Sequence, residues 1–241
     1  MTHAKITPAE NAELYLASTE YIDAGHPRVA AIAADLTYGA DSDAERIRRI
    51  YHYVRDLPYD VLESFRYLAR GQHAASDVLA HGLAFCMGKA SSFVALSRAA
   101  GVPARVAFQT LDSPDKEFLS PEVRVLWGST RPLPWHSVGE AYLNGRWLKL
   151  DATIDPPTAV RFGKPYRREF DGISDIPTVE GPILRENGSY ADYPLEVAQW
   201  YEIIARAVIG AQDDESRIRL AADDQLWAGP HLEDVLRRAV R

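Results

Sequence analysis

Asn144-Gly145, set between the alternating runs of His136 to Thr153 (HSVGEAYLNGRWLKLDAT), constrains the fold more than any other feature of this sequence. An Asn-Gly pair supplies the two positive-φ residues of a type I′ turn, whose twist matches that of the strands it joins. A two-residue turn also fixes the register. Leu143 then faces Arg146, Tyr142 faces Trp147, Glu140 faces Lys149 and Val138 faces Asp151. An aromatic pair and an opposite-charge pair lie directly across the strands, both favourable combinations. The same register makes His136 and Asp151 diagonal neighbours on one face, about 7–8 Å apart at the backbone and within bridging reach of an imidazole and a carboxylate. Gly139, Ala141, Leu148 and Leu150 share the other face, which is expected to meet the core.

The stretch from Ser76 to Gly101 contains the only cysteine, Cys86. It reads as a short helix capped by Ser76 and Asp77 and ended by Gly82, a break at Leu83-Ala84-Phe85, and a longer helix from Cys86 to Ala100 that Gly101-Val102-Pro103 stops. A thiol at a helix N-terminus sits beside unpaired N–H groups and the positive end of the dipole, and both favour the thiolate. One cysteine allows no internal disulfide and no zinc site of the paired CxxC type. Cys86 is therefore either an inert core residue or a nucleophile.

With 241 residues, 46% hydrophobic and 25% charged, the chain has the composition of a soluble globular protein with room for a sizeable core. A net charge of −7 argues against nucleic-acid and anionic-membrane partners, whose binding needs a basic surface. No apolar run approaches the roughly 18 residues of a membrane span, and MTHAKITPAENAEL at the start lacks the apolar core of a signal peptide. The expected location is the cytoplasm.

The remaining chain adds helices. Ala9 to Ala24 reads as one, Arg28 to Leu36 as another after Pro27. Asp41 and Ser42 cap a third in which Ile47, Ile50, Tyr51 and Val54 share a face and Arg46, Arg48 and Arg49 face solvent. Ala104 to Leu111 reads as a strand. The proline-rich segment from Asp112 to Pro134 is a candidate substrate-side flap. A second proline-rich segment runs to Asp192 and holds the basic residues Arg161, Lys164, Arg167 and Arg168, which are either a solvated face or an anchor for an acidic substrate group. Tyr193 to Ile209 reads as an interior helix capped by Asp192 at one end and Gly210 at the other. A last helix runs from Pro230 to Arg238.

The run Cys86-Met-Gly-Lys-Ala-Ser-Ser-Phe-Val-Ala-Leu-Ser-Arg98-Ala-Ala-Gly101-Val-Pro-Ala-Arg105 resembles the nucleophile helix of the transglutaminase-like superfamily. His136-Ser-Val-Gly-Glu140 through Trp147-Leu-Lys-Leu-Asp151 is similar to the His and Asp hairpin of that family, in the same chain order. Leu57-Pro58-Tyr59 is similar to the Tyr-bearing segment that often precedes its Cys region. The resemblance implies an α+β, papain-like core with the Cys helix packed on an antiparallel sheet, and Cys86, His136 and Asp151 as a catalytic triad. The core would span about 42–155 of one domain, with a helical extension over 1–41 and loops and helices over 156–241. It implies attack on an amide or related carbonyl of a peptide, protein or small molecule, resolved by water or an amine, with no cofactor and no metal. The family often has Gly two residues before the Cys and an aromatic residue two after the His, where this chain has Ala84 and Val138. No residue clearly matches the oxyanion side chain of the family; Gln72 and Trp135 are the candidates. These departures motivate the alternative, a non-catalytic binding module that keeps the fold.

Overall fold

The computed structural model describes residues 13–113, 116–128, 130–165 and 169–239. Among them the chain is α+β. Helices α1 (Pro27–Thr37), α2 (Asp43–Asp56), α3 (Val61–Leu68), α4 (Ala75–His81) and α5 (Cys86–Ala99) precede strand β1 (Ala104–Leu111). Helix α6 (Pro121–Trp127), the hairpin of β2 (Leu133–Leu143) and β3 (Arg146–Leu150), helix α7 (Pro156–Arg161) and strand β4 (Ile183–Tyr190) follow. The chain then closes with α8 (Leu195–Gly210), α9 (Asp214–Ala221), α10 (Asp224–Ala228) and α11 (Leu232–Ala239). The strands form an antiparallel sheet in the order β3-β2-β1-β4.

The hairpin has the register that its turn dictates. Tyr142 pairs with Trp147 and Glu140 with Lys149, and Asn144 and Gly145 take φ of 52° and 83°. The Tyr142 and Trp147 rings meet edge to face at 5.3 Å. The charges do not pair as expected across this turn. Glu140 bonds instead to Arg105, its neighbour on β1, whose guanidinium lies 4.0 Å from the Trp147 ring centre. Lys149 pairs with Glu186 of β4 at 2.8 Å. Arginine offers a planar fork that can bond a carboxylate and stack on an aromatic ring together, which lysine cannot.

Helix α5 is buried nearly all round, from Met87 to Arg98. Two glycines allow this. A Cβ on Gly139 of β2 would stand 2.2 Å from Cδ1 of Phe93, so the bare backbone lets α5 lie directly on the sheet. A Cβ on Gly88 would stand 2.9 Å from the Ala84 methyl. Most polar residues of α5 are satisfied locally or by neighbouring backbone, as burial requires, the buried Ser92 hydroxyl being the exception. Ser97 donates to the Phe93 carbonyl at 2.7 Å, Lys89 to the Arg55 carbonyl at 2.9 Å, and Arg98 to the carbonyls of Ala104 at 3.0 Å and Ala17 at 2.7 Å. The core cluster around the helix includes Ile22, Phe65, Phe93, Phe108, Trp135 and Trp227.

Several local expectations change. The first helix is described only over 13–16, and 17–26 is turns and bends. Helix α4 has no side-chain cap of its own; the Ser76 N–H is taken at 3.0 Å by Asp23, far away in sequence. Gly82 ends it at φ 69° as expected. The segment before Asp192 contains β4, which pairs with β1. Asp192 does not cap α8; it accepts from the backbone of Glu20 at 3.1 Å and Tyr193 at 2.9 Å. Helix α8 buries one face, including Trp200, Tyr201 and Ile204, and leaves Leu195 and Ile203 exposed rather than being sandwiched. No helix among the described residues is long and apolar enough to cross a membrane.

Candidate active site

Cys86 is the first residue of α5, after Phe85 in extended conformation. The N–H groups of this first turn have no intrahelical carbonyl to bond. The thiol opens into a small, mostly apolar pocket that it shares with His136. Phe65, Phe85 and Val61 line one part of that pocket, Leu119, Trp127, Leu133 and Pro134 another, and Tyr201 and Ile204 of α8 a third. The segment proposed from sequence as a flap thus supplies part of the wall. About 40 Å³ of free space remains there, enough for a water or two.

His136 and Asp151 meet as the hairpin register requires. Nε2 of His136 lies 2.8 Å from Asp151 Oδ2, and Asp151 Oδ1 accepts the Thr153 N–H at 2.8 Å. Both side chains are buried. Burial alone would push the imidazole toward neutrality, but the charges of Glu180 and Asp151 and hydrogen bonds to Asp151 and Cys86 hold its pKa well above the ordinary value. Burial likewise raises the Asp151 carboxyl, and the His136 charge and hydrogen bond outweigh it, so its pKa lies below the usual range.

The residue before His136 is held in an unusual conformation. Trp135 has φ 60°, a strained value for a bulky side chain inside a strand. Its indole N–H donates to the Pro230 carbonyl at 3.0 Å and its own carbonyl accepts from the Tyr201 hydroxyl. Residue 229 is glycine where a Cβ would stand 3.0 Å from the indole. The C-terminal helices therefore clamp the backbone that aims His136. Tyr201 also places its hydroxyl 3.8 Å from Cys86 Sγ.

The other sequence candidates fall in different places. Gln72 Oε1 accepts from His81 Nε2 at 3.2 Å at the surface, and Gln72 does not line the thiol pocket. The indole N–H of Trp135 is spent on Pro230. Arg161 lines an outer pocket of about 320 Å³ that shares Tyr59, Val61 and Leu119 with the thiol pocket, and its guanidinium lies 5.3 Å from the Phe162 ring centre. Lys164 pairs with Glu117 at 2.6 Å. Arg167 and Arg168 lie outside the described residues.

Three residues of the site carried no sequence signal of their role. Glu180 stands 2.7 Å from His136 Nδ1. Tyr201 lies on a helix that sequence places only as apolar. Lys89, three residues after Cys86, is buried, and burial lowers its pKa to about 7 against the opposing charges of Asp155 and Asp151.

A helix-start cysteine packed on an antiparallel sheet, with an imidazole and carboxylate from its hairpin, defines a class of α+β cysteine folds. The sequence profile of the transglutaminase-like superfamily matches residues 30–152, more than half of the chain and the whole of the Cys86 to Asp151 span. The chain belongs to that superfamily. A crystal structure of a candidate cysteine protease from Cytophaga hutchinsonii is similar at 19% identity and a TM-score of 0.46, over 59% of this chain and 42% of that one. No curated protein matches.

Proposed function

We propose that this protein is a cysteine enzyme in which Cys86 attacks an amide or related carbonyl. The observation that carries this reading is the buried imidazole of His136, bonded through Nε2 to Asp151 at 2.8 Å and lining one pocket with the Cys86 thiol. In the thiolate–imidazolium pair the thiol proton already lies on His136; the Cys86 sulfur bonds to the carbonyl carbon while the carbonyl π pair moves to oxygen, and Asp151 stabilises the imidazolium. The oxyanion that forms is held by the first-turn N–H groups of α5, since neither Gln72 nor Trp135 has a donor free in the thiol pocket. The imidazolium then returns its proton to the leaving amine, leaving a thioester on Cys86. Water or an amine, deprotonated by His136, resolves it. Arg161, on the outer pocket, is the proposed contact for an acidic substituent of the substrate.

Alkylation by iodoacetamide near neutral pH tests the pairing without any knowledge of the substrate. Cys86 should react about tenfold or more slowly in a His136→Ala variant than in the wild type. Equal rates would refute the role of His136. A binding module that merely keeps the fold has no reason to maintain this difference.

A further inference from the structure

An imidazolium has one proton on each ring nitrogen. The Nε2 proton of His136 goes to Asp151. Oε2 of Glu180 stands 2.7 Å from Nδ1, and Cys86 lines the same pocket as both residues. The carboxylate is built into this place. Glu180 is 7% exposed, its Oε1 accepts from the Tyr59 hydroxyl at 3.3 Å, and its N–H donates to Thr178 Oγ1 at 3.3 Å. The next residues are pinned to the end of β1. Asp112 donates its N–H to the Pro182 carbonyl at 2.8 Å, and Gly181 lies so close that a Cβ there would be 2.0 Å from the Asp112 carbonyl oxygen.

We propose that Glu180 is a positioning residue of this site, which competes with Cys86 for the Nδ1 proton of His136 and moves the working range of the thiolate–imidazolium pair to higher pH. The proposal rests on the Cys86–His136 pairing proposed above. A carboxylate beside both groups stabilises the imidazolium and disfavours the thiolate, so each loses its proton at a higher pH than it would next to a neutral residue. The titratable groups facing this centre are Asp151 on Nε2, Tyr59 beside Glu180, Tyr201 beside Cys86, and Tyr193, whose hydroxyl donates to the Met87 carbonyl. Burial raises the pKa of the phenols, so they stay neutral across the range tested. The buried ammonium of Lys89 acts on Asp151. Removing Glu180 leaves Asp151 to hold the tautomer while freeing the Nδ1 proton for sulfur.

The test is Glu180→Gln, which keeps the shape and the partner for Tyr59 and removes the charge. Two midpoints are measured: the ring titration of His136 by NMR, and the rise of Cys86 alkylation with pH. Both should fall, and alkylation at about pH 6 should become ~3–10-fold faster. A purely structural role would slow alkylation at every pH without moving both midpoints downward. A midpoint that stays or rises overturns the proposal. If His136→Ala slows alkylation while Glu180→Gln moves nothing, only the role of Glu180 fails; if His136→Ala has no effect, the pairing fails and the role of Glu180 with it. Should Glu180→Gln not fold, Glu180→Asp draws the carboxylate back by one methylene, and smaller shifts in the same direction are expected.

Discussion

Gly139→Ala tests how the sheet seats the nucleophile helix. Its φ is not in the left-handed region, so space alone opposes a methyl group. That methyl would stand 2.2 Å from Cδ1 and 2.9 Å from Cε1 of Phe93, a ring with no exposure. Carbon atoms settle at about 3.5–4.0 Å, so the ring or the helix must give by more than ~1 Å. Overpacking of this kind costs about 1–3 kcal/mol, and in a chain of this size each kcal/mol lowers Tm by ~2–4 °C. A fall of roughly 2–12 °C is expected by calorimetry. Because Phe93 and Cys86 are on one rigid helix, alkylation of Cys86 should slow as well. Phe93→Leu should recover part of the loss in the Gly139→Ala background, so a double-mutant cycle will be non-additive. An unchanged Tm, or strict additivity, would refute the argument that the bare backbone at 139 positions α5.

Lys89→Met should stabilise the protein near neutral pH. Burial lowers the Lys89 pKa from 10.5 to about 7, a penalty of ~4 kcal/mol at pH 7, and the hydrogen bond to the Arg55 carbonyl returns only ~1 kcal/mol. Denaturant titrations should therefore show a gain of about 3 kcal/mol at pH 7. The sign of its pH dependence follows from the depressed value: between about 7 and 10.5 the unfolded chain holds the proton that the folded chain has lost. Wild-type stability rises with pH across that window, so the gain of the methionine variant should shrink toward the upper end. A gain independent of pH would show that the buried ammonium is not its source.

Elements governed by neighbours in sequence are legible in the sequence itself. The Asn144-Gly145 turn determines its own backbone and hence the register that joins His136 to Asp151. The break before Cys86 and the left-handed Gly82 are equally local. What the sequence leaves hidden depends on contacts between distant segments. Strand β4 alternates poorly, with Ile183 and Leu184 exposed, and exists because its backbone pairs with β1. Asp23 serves Ser76 across a long stretch of chain, a cap that no local motif records. Glu180 is one of several acids in a proline-rich segment, and its closeness to His136 follows from the way Gly181 and Pro182 dock on Asp112. Arg105 took Glu140 from Lys149 because β1 supplied a neighbour that the hairpin alone does not contain.

The most direct measurement of the central claim is the intact mass of the protein after incubation with a panel of amide, ester and thioester donors, followed by peptide mapping. The wild type should gain the acyl mass of at least one donor on Cys86, and Cys86→Ala should gain none. An adduct at another residue, or none from any donor while iodoacetamide still reaches the thiol, would contradict an acyl-enzyme at Cys86.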